Sequence, residues 1–264
     1  MSGFPPALPA ALPVSSYISQ THGKHVIHYR PYNSELDIDH IQALCSPMLS
    51  EPYSVYTYRY FLLKFGDCCW FGFKRNDGSG DAKVPPSSDE EERRAYSCVA
   101  CCICKIDTSY EIVKVPAVPP KAQKAASEGG SKPGLAGALA KIKLDREAAA
   151  AQGEDQEVEV KTGYIGMLST DPPYRGLDIA NRLLSLSIES MIENHGIRAV
   201  TLEVEDDNVK AESIYRKVGF TEEGRWKRYY LNGGGAKRLK MNVEGWTKGV
   251  RTLTVGRKGK EEVT

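Results

Sequence analysis

Residues 25–32, HVIHYRPY, alternate between apolar and polar positions, which predicts a strand. The pattern then switches to helical spacing in SELDIDHIQALCSPML, with Ser34 as the expected N-cap. LSEPYSVYTYRYFLLKF (49–65) starts as a loop broken by Pro52 and continues as an aromatic-rich second helix. CCWFGFK (68–74) and AYSCVACCICKID (95–107) read as strands. Between them, about 75–94, the chain is polar and broken by Gly and Pro, so a long hairpin loop is predicted.

Patterning is lost from about 115 to 157, where Pro, Ala, Gly and Lys dominate. Such a segment buries too little apolar surface to offset the entropy of ordering it and reads as an insertion. Order returns with VEVKTGYIGMLST (158–170), a strand, followed by a turn and a helix over about 179–194. That helix carries an apolar stripe of Ile179, Leu183, Leu184, Leu186, Ile188 and Met191. IRAVTLEVE (197–205) is a strand, and NVKAESIYRKVGF a short helix stopping at Gly219. FTEEGRWKRYYL and AKRLKMNV close the pattern as paired strands around the turn NGGG.

The element order β-α-α-β-β-β-α-β-α-β-β predicts an α/β protein with a mixed sheet. The expected organisation is a disordered leader at 1–21, one domain at 22–244 interrupted by the two insertions, and a loose basic tail at 245–264.

Composition changes this picture little. The net charge of +1 gives no global argument for nucleic acid or membranes, and no apolar run is long enough to cross a bilayer. The start, MSGFPPALPAALPVSS, lacks the basic region and unbroken apolar core of a signal peptide, so a cytoplasmic protein is expected. Seven cysteines, an odd count, argue for reduced thiols. Cys98 and Cys101 have metal-ligand spacing, but a zinc site needs two pairs on turns, often with histidine, and no histidine lies nearby. Cys98, Cys102 and Cys104 share one strand parity and are expected in the core, and no metal site is assigned. The five histidines receive no catalytic role.

The strand–turn–helix at 164–193 carries the candidate chemistry. Backbone N–H groups at a helix start lack intrahelical acceptors and hold a diphosphate with the help of a partial positive charge. Arg175 supplies a cation, Gly176 allows close approach, and Ala180 is small in the first turn. Alone, this spacing is a weak signal.

RGLDIA (175–180) resembles the acetyl-CoA signature Arg/Gln-x-x-Gly-x-Gly/Ala of the GNAT acetyltransferase superfamily, and LEVEDDNVKAESIYRKVGF resembles that family's next strand and helix. More narrowly, LSEPYSVYTYRYF and RYYLNGGGAKRLKM resemble the catalytic subunits of NatC-type N-terminal acetyltransferase complexes. The resemblance covers about 25–75, 95–107 and 160–243. It implies a mixed, mostly antiparallel GNAT sheet flanked by helices. It also implies acetyl-CoA as cosubstrate, bound by Leu168, Ser169, Arg175, Gly176, Leu177, Asp178, Ile179, Ala180, Asn181, Asn208 and Tyr215. Leu168 lies on the splayed strand whose amides serve as oxyanion donors in the family.

The resemblance further implies Glu203 as a base working through water and Tyr215 as acid or hydrogen-bond donor to the departing sulfur. Glu51 would bind the substrate amine or share the base role. Pro52 and Tyr53 would shape the first-residue pocket, and Tyr229 and Tyr230 would clamp the peptide. The implied substrates are nascent-chain N-termini beginning with Met and a large hydrophobic residue. The implied partners are a large scaffold subunit and a small Sm-like subunit; the basic tail points toward ribosome contact. Two alternatives stay open: a lysine side-chain acetyltransferase, and a non-catalytic binding module.

Asp178 stands where the family's internal glycine lies. Either it caps the helix and turns its carboxylate to solvent, or it faces the diphosphate. Unit charges about 4 Å apart at an effective dielectric near 20 would repel by about 4 kcal/mol, much reduced by solvent. Capping is the preferred reading, because the other signature positions are present.

Overall fold

A computed structural model describes residues 18–47, 53–77, 94–115, 154–244 and 246. They form an eight-stranded sheet in the order β1-β2-β3-β4-β5-β6-β8-β7. The strands are β1 (Ile18–His22), β2 (His25–Pro31), β3 (Trp70–Arg75), β4 (Tyr96–Val115), β5 (Glu154–Thr170), β6 (Ala199–Glu205), β7 (Thr221–Trp226) and β8 (Ala236–Asn242). The helices are α1 (Leu36–Cys45), α2 (Val55–Phe65), α3 (Ile179–His195) and α4 (Val209–Val218). Among the registers recorded, only β5 with β6 is parallel. The sheet is mixed and mostly antiparallel and is flanked by helices, as the resemblance implies.

The chain divides into two compact units, residues 1–107 with 161–264, and residues 108–160. The second holds the outer ends of β4 and β5, where the Ser109 hydroxyl donates to the Val160 carbonyl at 3.4 Å.

In the first unit helices cover both faces of the sheet. Phe73 faces α1, edge-on to His40 with ring centroids 5.4 Å apart. Its strand neighbour Trp70 projects to the other face and donates its indole N–H to Ser190 of α3. The α3 stripe is buried at all six positions expected from the sequence, and α2 buries Tyr58, Phe61, Leu62 and Phe65 at helical spacing. Each fully buried side chain of this kind is worth roughly 1.5–3 kcal/mol.

Four local features differ from the sequence reading. The sheet begins at Ile18, inside the stretch read as a leader, because residues 18–22 pair antiparallel with β2. The N-cap of α1 is Glu35, not Ser34. Asp37 takes the capping role from inside the helix: its Oδ2 accepts from the Asn33 and Ser34 amides while both oxygens pair with Arg30.

The cysteine parity is broken by a bulge. Gly72 pairs with Ala100 and Phe73 with Cys98, so Val99 is an extra residue on β4. Cys98 therefore joins Cys101 on the face of Phe71, Phe73 and α1, where Cys45 and Cys101 bring their sulfurs to 3.6 Å. Cys102 and Cys104 face the other side, 3.7 Å apart. Finally, β7 ends at Trp226, and residues 227–235 form the β7–β8 loop. Tyr229 and Tyr230 thus sit in a loop, where both amides donate to the Gly234 carbonyl.

Candidate functional site

The chain leaves β5 at Thr170 and turns through Pro172–Tyr174 before entering α3. The turn is anchored at both ends. The Asp171 amide donates to the carbonyl of the bulge residue Val99 at 2.8 Å, and buried Tyr174 packs edge-on against His25. Arg175 is extended and exposed, and its Nε–H donates to the Thr170 carbonyl at 3.0 Å.

Gly176 has φ +76°, and a Cβ there would meet nothing within 4 Å, so the space in front of the turn is open. Asp178 is also left-handed, with φ 65° and ψ 9°. That conformation is accessible to Gly and, among other residues, chiefly to Asn and Asp. The backbone explains why an aspartate stands at a glycine position.

Asp178 occupies the N-cap position, but its side chain makes no capping hydrogen bond. It is exposed, and Oδ1 accepts from the Asn181 side-chain amide. The expected capping is thus corrected, because a left-handed N-cap does not bring the side chain back over the helix start. The Arg182 amide donates to the Asp178 carbonyl. The amides of Ile179, Ala180 and Asn181 precede that bond and have no intrahelical acceptor.

Behind the turn lies His22, to which the sequence pattern assigned no role. Its Nδ1 is 2.6 Å from the Leu177 carbonyl, and its Nε2 is 2.7 Å from the Tyr29 hydroxyl. A carbonyl only accepts, so Nδ1 carries the proton and the neutral ring accepts from Tyr29 at Nε2. Burial lowers the His22 pKa, against the opposing pulls of the Leu177 carbonyl and Asp178, which favours this neutral state. With the partners 155 positions apart in the chain, no local pattern announces the contact.

On the opposite side of the turn, the sheet opens. β5 and β6 pair at Thr162–Ala199, Gly163–Val200 and Tyr164–Thr201, and no later pair is recorded although both strands continue. Past Tyr164 the strands diverge, Leu168 on one and Glu203 on the other. Leu168 is partly buried, and buried Ser169 hydrogen-bonds the Cys45 sulfur.

Strand parity puts Tyr164, Thr201, Glu203 and Glu205 on the α2 face, where Phe61 of α2 packs over Gly166. Glu203 faces Arg238 of β8, with 3.5 Å between carboxylate and guanidinium. Its second oxygen, Oε2, is buried without a hydrogen-bond partner among the described residues. Burial first, and then the Glu203 carboxylate, pushes the Tyr164 pKa up, and Tyr53 and Tyr229 are near enough to add to the shift. Tyr230 is raised in the same way by burial, then by Glu205, Tyr229, Glu203 and Tyr53.

Tyr53, Tyr164, Tyr229 and Tyr230 thus lie within electrostatic reach of one another and of Glu203 or Glu205. The sequence singled out three of them and missed Tyr164, although its alternation with Gly166 and Leu168 marks a shared face.

Tyr215 lies on α4, across the sheet from α2, buried and edge-on to Phe220 at 5.9 Å. Burial, then the neighbouring Cys102 and Tyr230, raise its pKa, so the phenol keeps its proton as a donor. Asn208 caps α4, its Oδ1 accepting from the Ala211 amide at 3.2 Å. Glu51 and Pro52 lie outside the described residues.

Potential metal ligands Asp67, Cys68 and His195 come within 4.8 Å of one another. Each has a protein partner: Cys68 donates to the Phe65 carbonyl, and Asp67 pairs with His195 at 3.0 Å. No helix among the described residues is long and apolar enough to cross a membrane.

Residues 132–220 match the Acetyltransferase (GNAT) family. The chain is 27% identical over 228 residues to N-alpha-acetyltransferase 30 of Xenopus laevis, covering 86% of this chain and 59% of that protein. It is also 27% identical over 215 residues to N-alpha-acetyltransferase 30 of Saccharomyces cerevisiae, covering 81% of this chain and 86% of the yeast protein. A solved NatC complex bound to Gag peptide and CoA contains a chain matched at 27% identity and a TM-score of 0.52, with 82% of this chain and 98% of that chain covered. This chain is thus similar to the GNAT acetyltransferases over residues 132–220 and, over most of its length, to the N-alpha-acetyltransferases 30.

Proposed function

We propose that the chain transfers an acetyl group from acetyl-CoA to the N-terminal α-amine of proteins, with preference for Met followed by a large hydrophobic residue. The observation that carries this reading is the opening between β5 and β6 beyond the Tyr164–Thr201 pair. On the α3–α4 side of it lie the turn at 175–181 and Tyr215; on the α2 side lie Glu203 and the tyrosines. Coenzyme and peptide would enter from opposite faces and meet in the gap.

The open space before Gly176 and the amides of Ile179–Asn181 suit a diphosphate, with Arg175 beside it. A protein N-terminus has a pKa of about 7.7–8.0, so part of the substrate arrives protonated at neutral pH. Glu203 takes that proton through water, its carboxylate held in place by the Tyr164 phenol and the Arg238 guanidinium. The amine then attacks the thioester carbonyl. The Leu168 amide stabilises the tetrahedral oxyanion. Collapse breaks the C–S bond: Tyr215 donates its proton to the departing sulfur and regains one through solvent as the tetrahedral nitrogen sheds its second proton to give the amide.

Tyr53, Tyr229 and Tyr230, joined by Glu51 and Pro52, would hold the peptide's first residues. Aromatic walls with few donors favour methionine followed by a large apolar side chain. The likeness to a chain of a NatC complex supports work in a complex; the partners would be a large scaffold subunit and a small Sm-like subunit, the substrates nascent chains in the cytoplasm, and the basic tail would suit a ribosome contact.

The test is CoA release from acetyl-CoA with peptides starting Met-Leu, Met-Asp and Ser, with and without partner subunits. Each is matched by an N-terminally blocked peptide containing lysine. Acetylation of free Met-Leu over the others is expected. Lysine has a pKa of about 10.4 and needs a stronger base. Acetylation of the blocked peptides alone would replace this reading with a lysine acetyltransferase. Coenzyme binding without turnover of any peptide would leave a binding module.

A further inference from the structure

The β1–β2 hairpin reaches the backbone of the turn at 175–178 through the His22 side chain. His22 is 5% exposed and Tyr29 fully buried, and together they form a chain of hydrogen bonds: Tyr29 O–H to His22 Nε2, then His22 Nδ1–H to the Leu177 carbonyl. Beside it, a Cβ on Gly23 would touch Leu177 Cδ2 at 3.7 Å, so the hairpin and the turn also lie against each other through apolar surface.

We infer that His22 is a positioning residue for the coenzyme-binding turn, fixing the Leu177–Asp178 peptide so that its N–H faces the diphosphate. This rests on reading residues 175–181 as the phosphate cradle. The described backbone contains no cis peptide bond. In a trans peptide the carbonyl and the following N–H point in opposite directions. With the Leu177 carbonyl drawn inward by His22, the Asp178 N–H points outward, on the side where the amides of Ile179–Asn181 begin.

The buttress matters because this peptide is easily turned. Turning it over rotates ψ of Leu177 and φ of Asp178 together by about half a turn while the chain path stays, and it would carry Asp178 from φ 65° to the negative φ that L-residues favour. Rotated, it would present a carbonyl oxygen to the diphosphate in place of an N–H, exchanging attraction for repulsion. His22 holds it in the donating orientation, and Tyr29 holds His22 in the tautomer that donates from Nδ1. His22 touches neither the sulfur nor the amine, so its effect is confined to the phosphate end.

The test uses the full chain. CoA binding is measured by calorimetry for the wild type, His22→Leu, His22→Asn and His22→Gln, alongside inhibition by pantetheine, which lacks the diphosphate. Loss of one hydrogen bond predicts about three- to tenfold weaker CoA binding for His22→Leu. Pantetheine inhibition should be unchanged, the KM for acetyl-CoA should rise by the same factor, and kcat and the peptide KM should hold. His22→Asn, whose amide sits near the Nδ1 position, should bind CoA more tightly than His22→Gln.

Wild-type affinity in His22→Leu, or an equal loss for pantetheine and CoA, would overturn the inference. Should His22→Leu not fold, the Asn–Gln comparison decides, and equal affinities sink the idea. A wild-type chain that binds no CoA would bring down the reading of the turn itself, and the positioning role with it. A wild type that binds, with insensitive variants, removes the positioning role alone.

Discussion

The carboxylate of Asp178 accepts its hydrogen bond from the side-chain amide of Asn181, and no capping bond runs from it to the α3 backbone. The charge is exposed and directed along the helix surface, while the left-handed backbone that calls for Asp, Asn or Gly stays in place. A negative charge near a helix N-terminus that holds an anion should weaken that anion's binding by the size of a surface terminus effect, about 0.3–1 kcal/mol. Asp178→Gly and Asp178→Asn should therefore both bind CoA about two- to fivefold more tightly. Asp178→Val should bind no better and be less stable by roughly 1–2 kcal/mol, because a β-branched residue is strained at this φ. Unchanged Kd in both the Gly and Asn variants would mean that the carboxylate is electrically invisible to the coenzyme.

Glu203 and Tyr164 meet where β5 and β6 part, and each predicts a different kinetic signature. Glu203→Gln keeps the shape beside Arg238 but removes the proton acceptor. It should lower kcat by about 10²–10⁴-fold with little change in either KM. Tyr164→Phe removes only the phenol near the carboxylate, and its loss should be smaller and absent from the Glu203→Gln background. Additive losses in the double variant would separate Tyr164 from the base.

How much of this was legible beforehand depends on whether the cause was local. The α3 stripe from Ile179 to Met191 was read correctly because helical spacing and burial are two views of one amphipathic surface. The β7–β8 order was less visible: the strand pattern through Tyr230 is apolar enough for a strand, yet pairing stops at Trp226. Cys98 was assigned the wrong face because strand parity assumes no inserted residue, and Val99 is one. His22 escapes the sequence pattern because its partner at the turn, Leu177, is brought by tertiary structure.

The start of α1 failed for a related reason. Ser34 has the right chemistry for a cap, but Asp37 does that work while sealing a buried ion pair with Arg30. Arg30 Nη2 lies 2.7 Å from Asp37 Oδ1, with the side chains 5% and 0% exposed. The guanidinium also lies over the Phe73 ring, 4.4 Å from its centroid. Removing one partner leaves the other charged, buried and uncompensated. Asp37→Leu should cost about 3–5 kcal/mol in urea unfolding, whereas the double variant Asp37→Leu with Arg30→Met should recover much of that loss. A double variant no better than the single would mean that the cap, rather than the stranded charge, sets the penalty.

The histidines predict an acid sensitivity that can be separated from that of the carboxylates. Burial lowers the pKa of both His22 and His28 below the unfolded value of 6.5; for His28 the nearby Arg75 adds to the effect. A depressed histidine pKa means that the unfolded chain takes up protons first as pH falls. Stability is therefore full above about 6.5 and declines below it, until the folded values are reached. Glu212 and Glu222, held below the usual carboxylate value of 4.5 mainly by hydrogen bonds from Lys237 and Arg225 respectively, lose their contribution only in more acid solution. Thermal unfolding between about pH 7.5 and 5.5 thus reads the histidines. His28 Nδ1 sits 2.8 Å from Ser19 Oγ, its Nε2 is buried with no hydrogen-bond partner among the described residues, and its ring lies edge-on to Tyr96. His28→Phe retains a ring there and removes the titration, so its Tm should fall less over this window than that of the wild type. Parallel Tm curves for the two proteins would exclude His28 as a source of the acid sensitivity and leave His22 to account for it.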